Sequence, residues 1–275
     1  MNFPVVEIFH SIQGEGKFTG YPSIFIRVTG CNLRCVFKGS ICDTAYTSFN
    51  PEKPLYNTPE ETYKALEEIV KKYPNTRHVV FTGGEPMLYR DGIKKLVELI
   101  DDNTADKSNR YIYTIETNGT LPPIDPWAAE DLSYMHVIDL HSVSPKLSTS
   151  VDHNLTHLTD EQRNRHNRLR INIDSLAGYA MRFITPGIGS TQFKFVYSGE
   201  ESVKEIKDIL YMVDRKLWQI DECGIDNDCV LLMPEGTTND QLNNIQQECA
   251  EVCCREGWKF CDRLHIRIWG DKRGV

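Results

Sequence analysis

The sequence predicts an α/β protein built on an open, partial β/α barrel of about six mainly parallel strands. Two patterns lead to this prediction: short apolar strands alternate with amphipathic helices, and glycines or polar residues follow several of the strands. About six strands are too few to close an eight-stranded barrel. Open parallel sheets bind ligands at the carboxyl ends of their strands, so functional residues are expected there.

The elements follow from hydrophobic periodicity and end signals. The chain opens with two β-rich segments, 5–9 and 23–28, around a glycine-bearing loop. A helix is predicted after Thr58, because threonine suits an N-cap and proline the first helical position. Further strands are predicted at 78–82, 111–116, 135–139, 191–197, 229–233 and 264–268, and further helices at 92–102, 202–213 and 239–257.

Residues 1–275 are predicted to form a single domain, because no repeat, low-complexity tract or flexible linker interrupts them. The segment from about 147 to 190 is polar and weakly helical, and we interpret it as an insertion on the sheet. A basic run within it predicts a solvated helix face, with docking of a protein or nucleic acid as the alternative. The run consists of Arg163, Arg165, His166, Arg168 and Arg170.

Composition restricts the class of protein. Hydrophobic residues make up 40% and charged residues 25%, which is ordinary for a globular chain and wrong for a disordered one. The net charge of −8 argues against general nucleic-acid binding. No apolar run approaches the roughly 18–20 residues of a membrane span, and the N-terminus lacks a signal-peptide pattern, so a cytoplasmic protein is expected.

Nine cysteines are many for such a chain, and in the cytosol they are expected to stay reduced. Cys31, Cys35 and Cys42 lie in one turn-rich loop. They cannot complete a tetrahedral zinc site without a fourth ligand, whereas three thiolates on a [4Fe–4S] cluster leave one iron open for a small molecule. The others lie near the end: Cys223, Cys229, Cys249, Cys253, Cys254 and Cys261.

Core packing is the preferred interpretation of the C-terminal cysteines. Cys249 and Cys253 are four residues apart and share a helix face with apolar neighbours. Free cysteine packs as a small hydrophobe. An auxiliary cluster or a zinc site is the alternative.

Several motifs, taken in order, resemble those of the radical S-adenosylmethionine enzymes and, within them, the 7-carboxy-7-deazaguanine synthase family. A TGGEP segment after a strand is typical of the superfamily. IQGEG together with GCNLRC and CDT is more specific to the synthases. The matching segments are EIFHSIQGEG (7–16), TGYPSIFIRVTGCNLRC (19–35), CDT (42–44), VFTGGEP (80–86), IETNG (115–119), SPK (144–146) and HIRIWGDKRGV (265–275).

The cysteine loop departs from the usual C-x3-C-x2-C pattern of the superfamily. Here about four residues are inserted between Cys35 and Cys42, within a loop spanning 31–42. Both ends still match, and Gly39-Ser40 is flexible enough to bulge outward. The resemblance therefore implies that Cys31, Cys35 and Cys42 bind the cluster.

The resemblance also implies an activity. A [4Fe–4S] cluster and S-adenosylmethionine generate a 5′-deoxyadenosyl radical, which abstracts a hydrogen from 6-carboxy-5,6,7,8-tetrahydropterin. Ring contraction with loss of ammonia, assisted by Mg²⁺, gives 7-carboxy-7-deazaguanine, a precursor in queuosine-type 7-deazapurine biosynthesis. Whether the product serves queuosine, archaeosine or modified DNA stays open. The resemblance further implies a homodimer reduced by flavodoxin or ferredoxin, without direct contact with nucleic acid or membrane.

Site residues carry over from the matching motifs. Arg27 is expected to pair with the pterin carboxylate, since a guanidinium binds a planar carboxylate through two parallel hydrogen bonds. Thr44 matches a magnesium contact, and no catalytic residue is implied beyond the cluster and the cofactor. The other implied substrate contacts are Ile12, Gln13, Gly14 and Thr82. The implied S-adenosylmethionine contacts are Ile41, Asp43, Gly83, Gly84, Glu116, Ser144, Pro145, Lys146, Met233, Pro234, Glu235 and Gly236.

Two other functions are compatible with parts of the sequence. A glycyl-radical activase shares the cysteine loop and TGGEP, but acts on a protein and has no use for a pterin-binding IQGEG or Arg27. A zinc-stabilised binding module would use the cysteines alone. The synthase interpretation is preferred because it uses the loop, the glycine turns and the N-terminal motif together.

Overall fold

A computed structural model describes residues 1–38, 40–104, 110–123, 138–184, 190–221 and 224–275. No helix within these ranges is long and apolar enough to cross a bilayer. The strands are β1 (Val5–Ile12), β2 (Pro22–Val28), β3 (Val36–Phe37), β4 (Ser40–Ile41), β5 (His78–Gly83), β6 (Ile112–Thr117), β7 (Leu140–Val143), β8 (Ser190–Tyr197), β9 (Val230–Pro234) and β10 (Lys259–Phe260). The α-helices are α1 (Pro59–Lys72), α2 (Arg90–Asp102), α3 (Asp160–Leu169), α4 (Ile173–Ile184), α5 (Glu200–Asp221), α6 (Asn239–Glu256) and α7 (Leu264–Trp269).

The central sheet has eight strands in the order β1-β2-β5-β6-β7-β8-β9-β10. β1 and β2 pair antiparallel, and every later neighbour pairs parallel. The prediction of an open, mainly parallel α/β sheet is therefore confirmed, with eight strands instead of about six. The small β3–β4 sheet lies apart from it, between the second and third cysteines of the loop.

The two faces of the sheet differ because strand residues alternate between them. Ile24, Ile26, Val79 and Phe81 belong to an apolar core with α1 and α2. A second core joins β7–β9 to α4, α5 and α6. The residues in between point to the opposite, concave face, which carries polar side chains at the carboxyl ends of the parallel strands.

The strand predicted at 264–268 is wrong, because this segment forms α7. Its alternation of apolar and polar residues suits a strand, but five residues do not separate the two periodicities. The position beside β9 is taken by β10. Only Ile266 of the helix is buried, while Ile268 is 52% exposed.

Two other predicted boundaries change. Of the strand predicted at 135–139, residues 135–137 lie outside the described residues, and β7 begins at Leu140. The predicted insertion at 147–190 contains α4, whose Leu176 and Tyr179 are buried in the second core. The polar, peripheral part is therefore restricted to about 148–170, and α4 belongs to the connection between β7 and β8.

A buried histidine joins three strands below the functional end of the sheet. His78 on β5 makes 2.8 Å hydrogen bonds with Ser23 of β2 and Thr114 of β6. The Ser23 hydroxyl already donates to the Tyr21 carbonyl, so Nδ1 of His78 donates to Ser23 and Nε2 accepts from Thr114. Burial lowers the pKa of His78 to about 4, which keeps the ring neutral.

Acidification is expected to destabilise the sheet through His78. The unfolded histidine titrates near 6.5 and the folded one near 4, so its contribution is fully present above pH 6.5 and is lost as the pH falls below that value. Between pH 7.5 and 5.5 it should cost about 1 kcal/mol of unfolding free energy. Urea denaturation at both pH values measures this fall. In His78→Gln the fall in unfolding free energy should be smaller than in wild type by about 1 kcal/mol. The exposed His153→Gln is the control and should show the same pH dependence of the unfolding free energy as wild type.

Candidate active site

Polar residues line the concave face where the strands end. Arg27 lies on β2, Thr82 on β5, Glu116 on β6 and Lys194 on β8, and each occupies a position that alternates with core residues. Buried polar groups are costly unless they are paired, so their partners determine the geometry of this face. The cysteine loop covers one end of it.

The cysteine loop contains a short hairpin. β3 and β4 pair Val36 with Ile41 and Phe37 with Ser40, and the Cys42 amide donates to the Cys35 carbonyl over 3.0 Å. The residues inserted between the second and third cysteines therefore project as a hairpin and leave Cys35 and Cys42 side by side. The outward bulge expected near Gly39-Ser40 corresponds to this hairpin, although Gly39 itself lies outside the described residues.

The Cys35 thiol is buried, and those of Cys31 and Cys42 are half-buried. Burial raises the pKa of Cys31 to about 11 and raises those of Cys35 and Cys42 as well. The Lys146 cation acts in the opposite direction on Cys35 and Cys42. Iron binding would replace the thiol protons, and a neighbouring cation suits a thiolate-bound cluster.

The chemistry of three thiols suits a [4Fe–4S] cluster. Among the described residues, no three histidine, cysteine or carboxylate side chains are close enough to hold one ion. A [4Fe–4S] cluster takes each thiolate on a different iron and therefore needs them further apart. Three thiols in one loop would supply one ligand each to three of the irons, with the Lys146 cation nearby.

The glycine turn after β5 packs directly against the start of the cysteine loop. A Cβ on Gly84 would lie 2.0 Å from the Gly30 carbonyl oxygen, and Gly83 has a φ of +127° that favours glycine. The Glu85 amide donates to that same carbonyl over 2.9 Å. The turn thus fixes the backbone next to Cys31.

Glu85 of the TGGEP motif has a structural role. Its buried carboxylate accepts hydrogen bonds from the Met87 amide, the Thr117 hydroxyl and the Asn118 amide. The Asn118 side chain then donates to Asn32, next to Cys31. Glu85 therefore joins the ends of β5 and β6 beneath the loop.

Glu116 lies among the residues expected to bind substrate, although the resemblance implies an S-adenosylmethionine contact. Its carboxylate accepts from Gln13 over 3.1 Å and from Thr82 over 2.8 Å. The structure brings these three side chains together from the β1–β2 loop, β5 and β6. Which ligand Glu116 contacts stays a prediction.

Arg27 is held by an acid and two rings. Its Nε donates to Glu7 over 2.9 Å, and its guanidinium lies 5.5 Å from the Phe9 ring centroid and 5.8 Å from that of Tyr46. Within the described part of the chain, Glu7 is its hydrogen-bond partner. The Nη edge of the guanidinium makes no hydrogen bond to another described residue.

The C-terminal segment contacts the same residues as Arg27 through Arg273. Arg273 donates to the second oxygen of Glu7 and makes a two-bond contact with Glu52. It also stacks 3.8 Å from the Tyr46 ring centroid. Glu7 therefore pairs with two arginines at once.

Arg263 joins three segments of the site and was missed by sequence reasoning. It donates to Glu15 over 2.9 Å, to Asp43 over 3.0 Å and to the Gly236 carbonyl over 2.6 Å. Lys194 binds the other oxygen of Glu15. Burial alone would raise the pKa of Glu15, but the Lys194 and Arg263 cations outweigh it and hold that pKa well below its usual range.

His265 is a second residue that sequence reasoning missed. A Cβ on Gly14 would lie 2.0 Å from its Nδ1, so the ring packs directly on the expected substrate loop. The Leu264 amide also donates to the Gly14 carbonyl over 2.9 Å. The strand predicted at 264–268 did not indicate this contact, whereas in the helix the His265 ring lies against Gly14.

The other expected residues occupy the same end of the sheet. Thr44 places its hydroxyl 3.3 Å from the Cys42 sulfur, and Lys146 bonds the Ser144 hydroxyl over 2.8 Å. Glu235 pairs with Lys38 of the hairpin over 3.1 Å. Pro234 ends β9, and Met233 packs near Cys261 inside the concave face.

The basic run and the C-terminal cysteines have specific environments. His166 is buried and Arg170 pairs with Glu205, so the run is not uniformly a solvated face. Cys229, Cys249 and Cys253 pack in the second core and Cys261 in a smaller apolar cluster, as expected, whereas Cys254 is exposed and the core interpretation is wrong for it. Cys223 lies outside the described residues.

Comparison with known proteins places this site in a family. The Radical SAM superfamily model matches residues 25–176. A 7-carboxy-7-deazaguanine synthase of Halobacterium salinarum is 34% identical over 98% of this chain and 91% of its own length. A synthase of the same name from Rhodopirellula baltica is also 34% identical, over 98% of this chain and 88% of its own.

Similarity to a solved structure supports the fold. The crystal structure of QueE from Escherichia coli superposes with a TM-score of 0.59 at 21% identity, covering 96% of this chain and 95% of that one. The two synthases are similar to this chain over nearly its whole length. The chain therefore belongs to the 7-carboxy-7-deazaguanine synthase family of the radical S-adenosylmethionine superfamily.

Proposed function

We propose that the protein converts 6-carboxy-5,6,7,8-tetrahydropterin to 7-carboxy-7-deazaguanine with loss of ammonia. The observation that carries this proposal is the position of Arg27 on the concave face, with its Nε bound to Glu7 and its Nη edge unpaired among the described residues. That edge suits a planar carboxylate such as that of the pterin. The activase alternative has no corresponding use for Arg27, and the curated relatives carry the synthase name.

Substrate orientation is assigned to the group formed by Gln13, Thr82 and Glu116. The Glu116 carboxylate accepts hydrogen bonds, as the N–H groups of a reduced pterin ring require, and its own position is fixed by Gln13 and Thr82. A side chain held in place before binding loses little entropy on binding. Ile12 and Gly14 complete the assignment on the β1–β2 loop.

The cofactor assignment follows the cysteine loop and the strand ends. Cys31, Cys35 and Cys42 would hold the [4Fe–4S] cluster, which together with S-adenosylmethionine supplies the radical when bound. Gly83 and Gly84 are assigned to the same cofactor by their place in the TGGEP motif. The remaining S-adenosylmethionine contacts are assigned to Ile41, Asp43, Ser144, Pro145, Lys146, Met233, Pro234, Glu235 and Gly236.

Arg263 is assigned a positioning role. It connects Glu15, beside the substrate loop, to Asp43, beside the third cysteine, and to Gly236 at the end of β9. One buried cation thus holds the substrate side and the cofactor side at fixed positions. Such preorganisation is what radical transfer between two bound molecules requires.

The remaining assignments come from the family. Mg²⁺ is placed at Thr44, whose hydroxyl lies at the edge of the cysteine loop. A flavodoxin or ferredoxin is the proposed electron donor, a homodimer the proposed assembly and the cytoplasm the proposed compartment.

Anaerobic turnover tests the proposed reaction. After reconstitution with iron and sulfide, the protein should form 7-carboxy-7-deazaguanine from the pterin with dithionite, S-adenosylmethionine and Mg²⁺, as followed by mass spectrometry. It should hold about 4 irons per chain, as one cubane cluster requires. A value near 8 would contradict the core role of the C-terminal cysteines. Release of 5′-deoxyadenosine without the product would contradict the assigned substrate.

Arg27→Ala should lower kcat/KM for the pterin by about 100-fold, because it removes a charge-assisted two-bond contact. Arg27→Lys keeps the positive charge but lacks the two parallel N–H donors of a guanidinium. Its kcat/KM should therefore lie between those of Arg27→Ala and wild type. Steady-state kinetics with Arg255→Ala, a surface arginine on α6, provides the control. Unchanged kinetics in Arg27→Ala would favour a substrate without a carboxylate.

Arg263→Leu should destabilise the protein and weaken binding on both sides of the site. Removing one member of a buried charge network costs about 3 kcal/mol of unfolding free energy. The KM values for S-adenosylmethionine and for the pterin should rise together, because Arg263 contacts both segments. Urea denaturation and kinetics measure the two effects, with Arg255→Leu as the exposed control. A rise in only one KM would contradict the bridging role.

A further inference from the structure

The peripheral segment 148–170 lies against the cysteine loop. We refer to residues 148–170 as the buttress. Its first turn, Ser148–Ser150, packs on strand β3 of the hairpin between Cys35 and Cys42. None of its residues belongs to the motifs that define the family resemblance.

One side chain of the buttress reaches the loop backbone. His166 on α3 is 2% exposed, and its Nδ1 accepts the Arg34 amide hydrogen over 3.2 Å. Its Nε2 lies 3.1 Å from the Ser150 hydroxyl. That hydroxyl donates to the Leu147 carbonyl over 2.7 Å, so Nε2 carries the proton and donates to Ser150. The tautomer of His166 is thus determined by its two neighbours.

The residue contacted by His166 lies between two of the cysteines. Arg34 precedes Cys35, and its side chain donates to the Cys31 and Leu33 carbonyls over 2.7 and 2.8 Å. Its side chain therefore closes the Cys31–Cys35 turn from within. His166 holds the amide of the same residue from outside.

The buttress is itself firmly anchored. Asp152 accepts hydrogen bonds from the amides of Thr156, His157 and Leu158, which shapes the turn before α3. At the other end, Arg170 bonds the Lys146 carbonyl and Glu205. Glu205 on α5 also accepts from the amide and the hydroxyl of Ser148. Both ends of the buttress are therefore tied down, and His166 is held at a defined place.

We propose that His166 is a positioning residue that holds the cysteine loop in its cluster-binding shape through the Arg34 amide. The inference rests on the proposed assignment of Cys31, Cys35 and Cys42 as ligands. The inserted hairpin lengthens the loop, and a longer loop loses more entropy when its ends are fixed. An external hydrogen bond that orders the loop beforehand reduces that loss, as groups behind the ligands do at other metal sites.

Three substitutions at position 166 separate its two hydrogen bonds. The amide oxygen of His166→Asn replaces Nδ1 as the acceptor for Arg34. The amide nitrogen of His166→Gln replaces Nε2 as the donor to Ser150, without restoring that acceptor. His166→Ala removes both. Because Asn and Gln both fill the site with a polar group, their comparison isolates the contact with the loop even if the Ala variant folds poorly.

The test measures how fast the reconstituted protein loses iron to a chelator under anaerobic conditions. His166→Gln and His166→Ala should release iron about 10-fold faster than wild type, and His166→Asn should stay close to wild type. In the metal-free protein, trypsin should cleave after Arg34 or Lys38 faster in the Gln and Ala variants, since both sites lie in the loop. His153→Ala is the matched control: His153 lies on the same segment, is exposed, and bonds the Ser148 carbonyl rather than the cysteine loop.

Two outcomes would overturn the proposal. One is wild-type iron release and cleavage in both the Gln and the Ala variants. The other is equally fast release in the Asn and Gln variants at an unchanged melting temperature of the metal-free proteins. Cys42→Ala separates this result from the ligand assignment: if that variant still holds about 4 irons per chain, the assignment of the cysteines fails instead.

Discussion

The site depends on the close contact between the Gly84 turn and the Gly30 carbonyl. No side chain fits between them, since a Cβ on Gly84 would lie 2.0 Å from that oxygen. The contact places the start of the cysteine loop at the end of β5. Glu85 then ties β5 to β6, and Asn118, just after β6, reaches Asn32 of the loop. The loop position is therefore determined by the sheet.

The charged side chains at the concave face are held in ion pairs. Arg27 and Arg273 share Glu7, while Lys194 and Arg263 share Glu15. Charges removed from water are tolerated only when they are paired and hydrogen-bonded. Such pairing also makes the face rigid, so a polar substrate meets groups that are already oriented. In a low-dielectric site, oriented charges interact more strongly than they would in water.

The enlarged cysteine loop is accommodated in two ways. Locally, β3 and β4 form a hairpin that keeps Cys35 and Cys42 adjacent. Around it, contacts come from distant parts of the chain: Lys38 reaches Glu235, Asp43 reaches Arg263, and the Arg34 amide reaches His166. A loop that departs from the usual spacing thus receives additional support from the fold. The support comes from residues outside the family motifs and from charged contacts with the C-terminal segment.

The sequence alone determined the α/β class, most strands and helices, the cysteine loop and the glycine turns. These features rest on local signals, such as the alternation of Ile24 and Ile26 or the N-cap at Thr58, which a short stretch of sequence contains.

The partners of those residues were decided only by the tertiary structure. Glu116 bonds Gln13 and Thr82, and His166 bonds the Arg34 amide. No local signal predicts these hydrogen bonds, because the partners lie tens of residues apart in sequence. The segment 264–268 shows the same limit: its pattern suited a strand, but β10 already pairs with β9, and the chain turns into a helix that brings His265 to Gly14. Local periodicity specifies which elements can form, whereas packing of the whole chain decides where each side chain finds its partner.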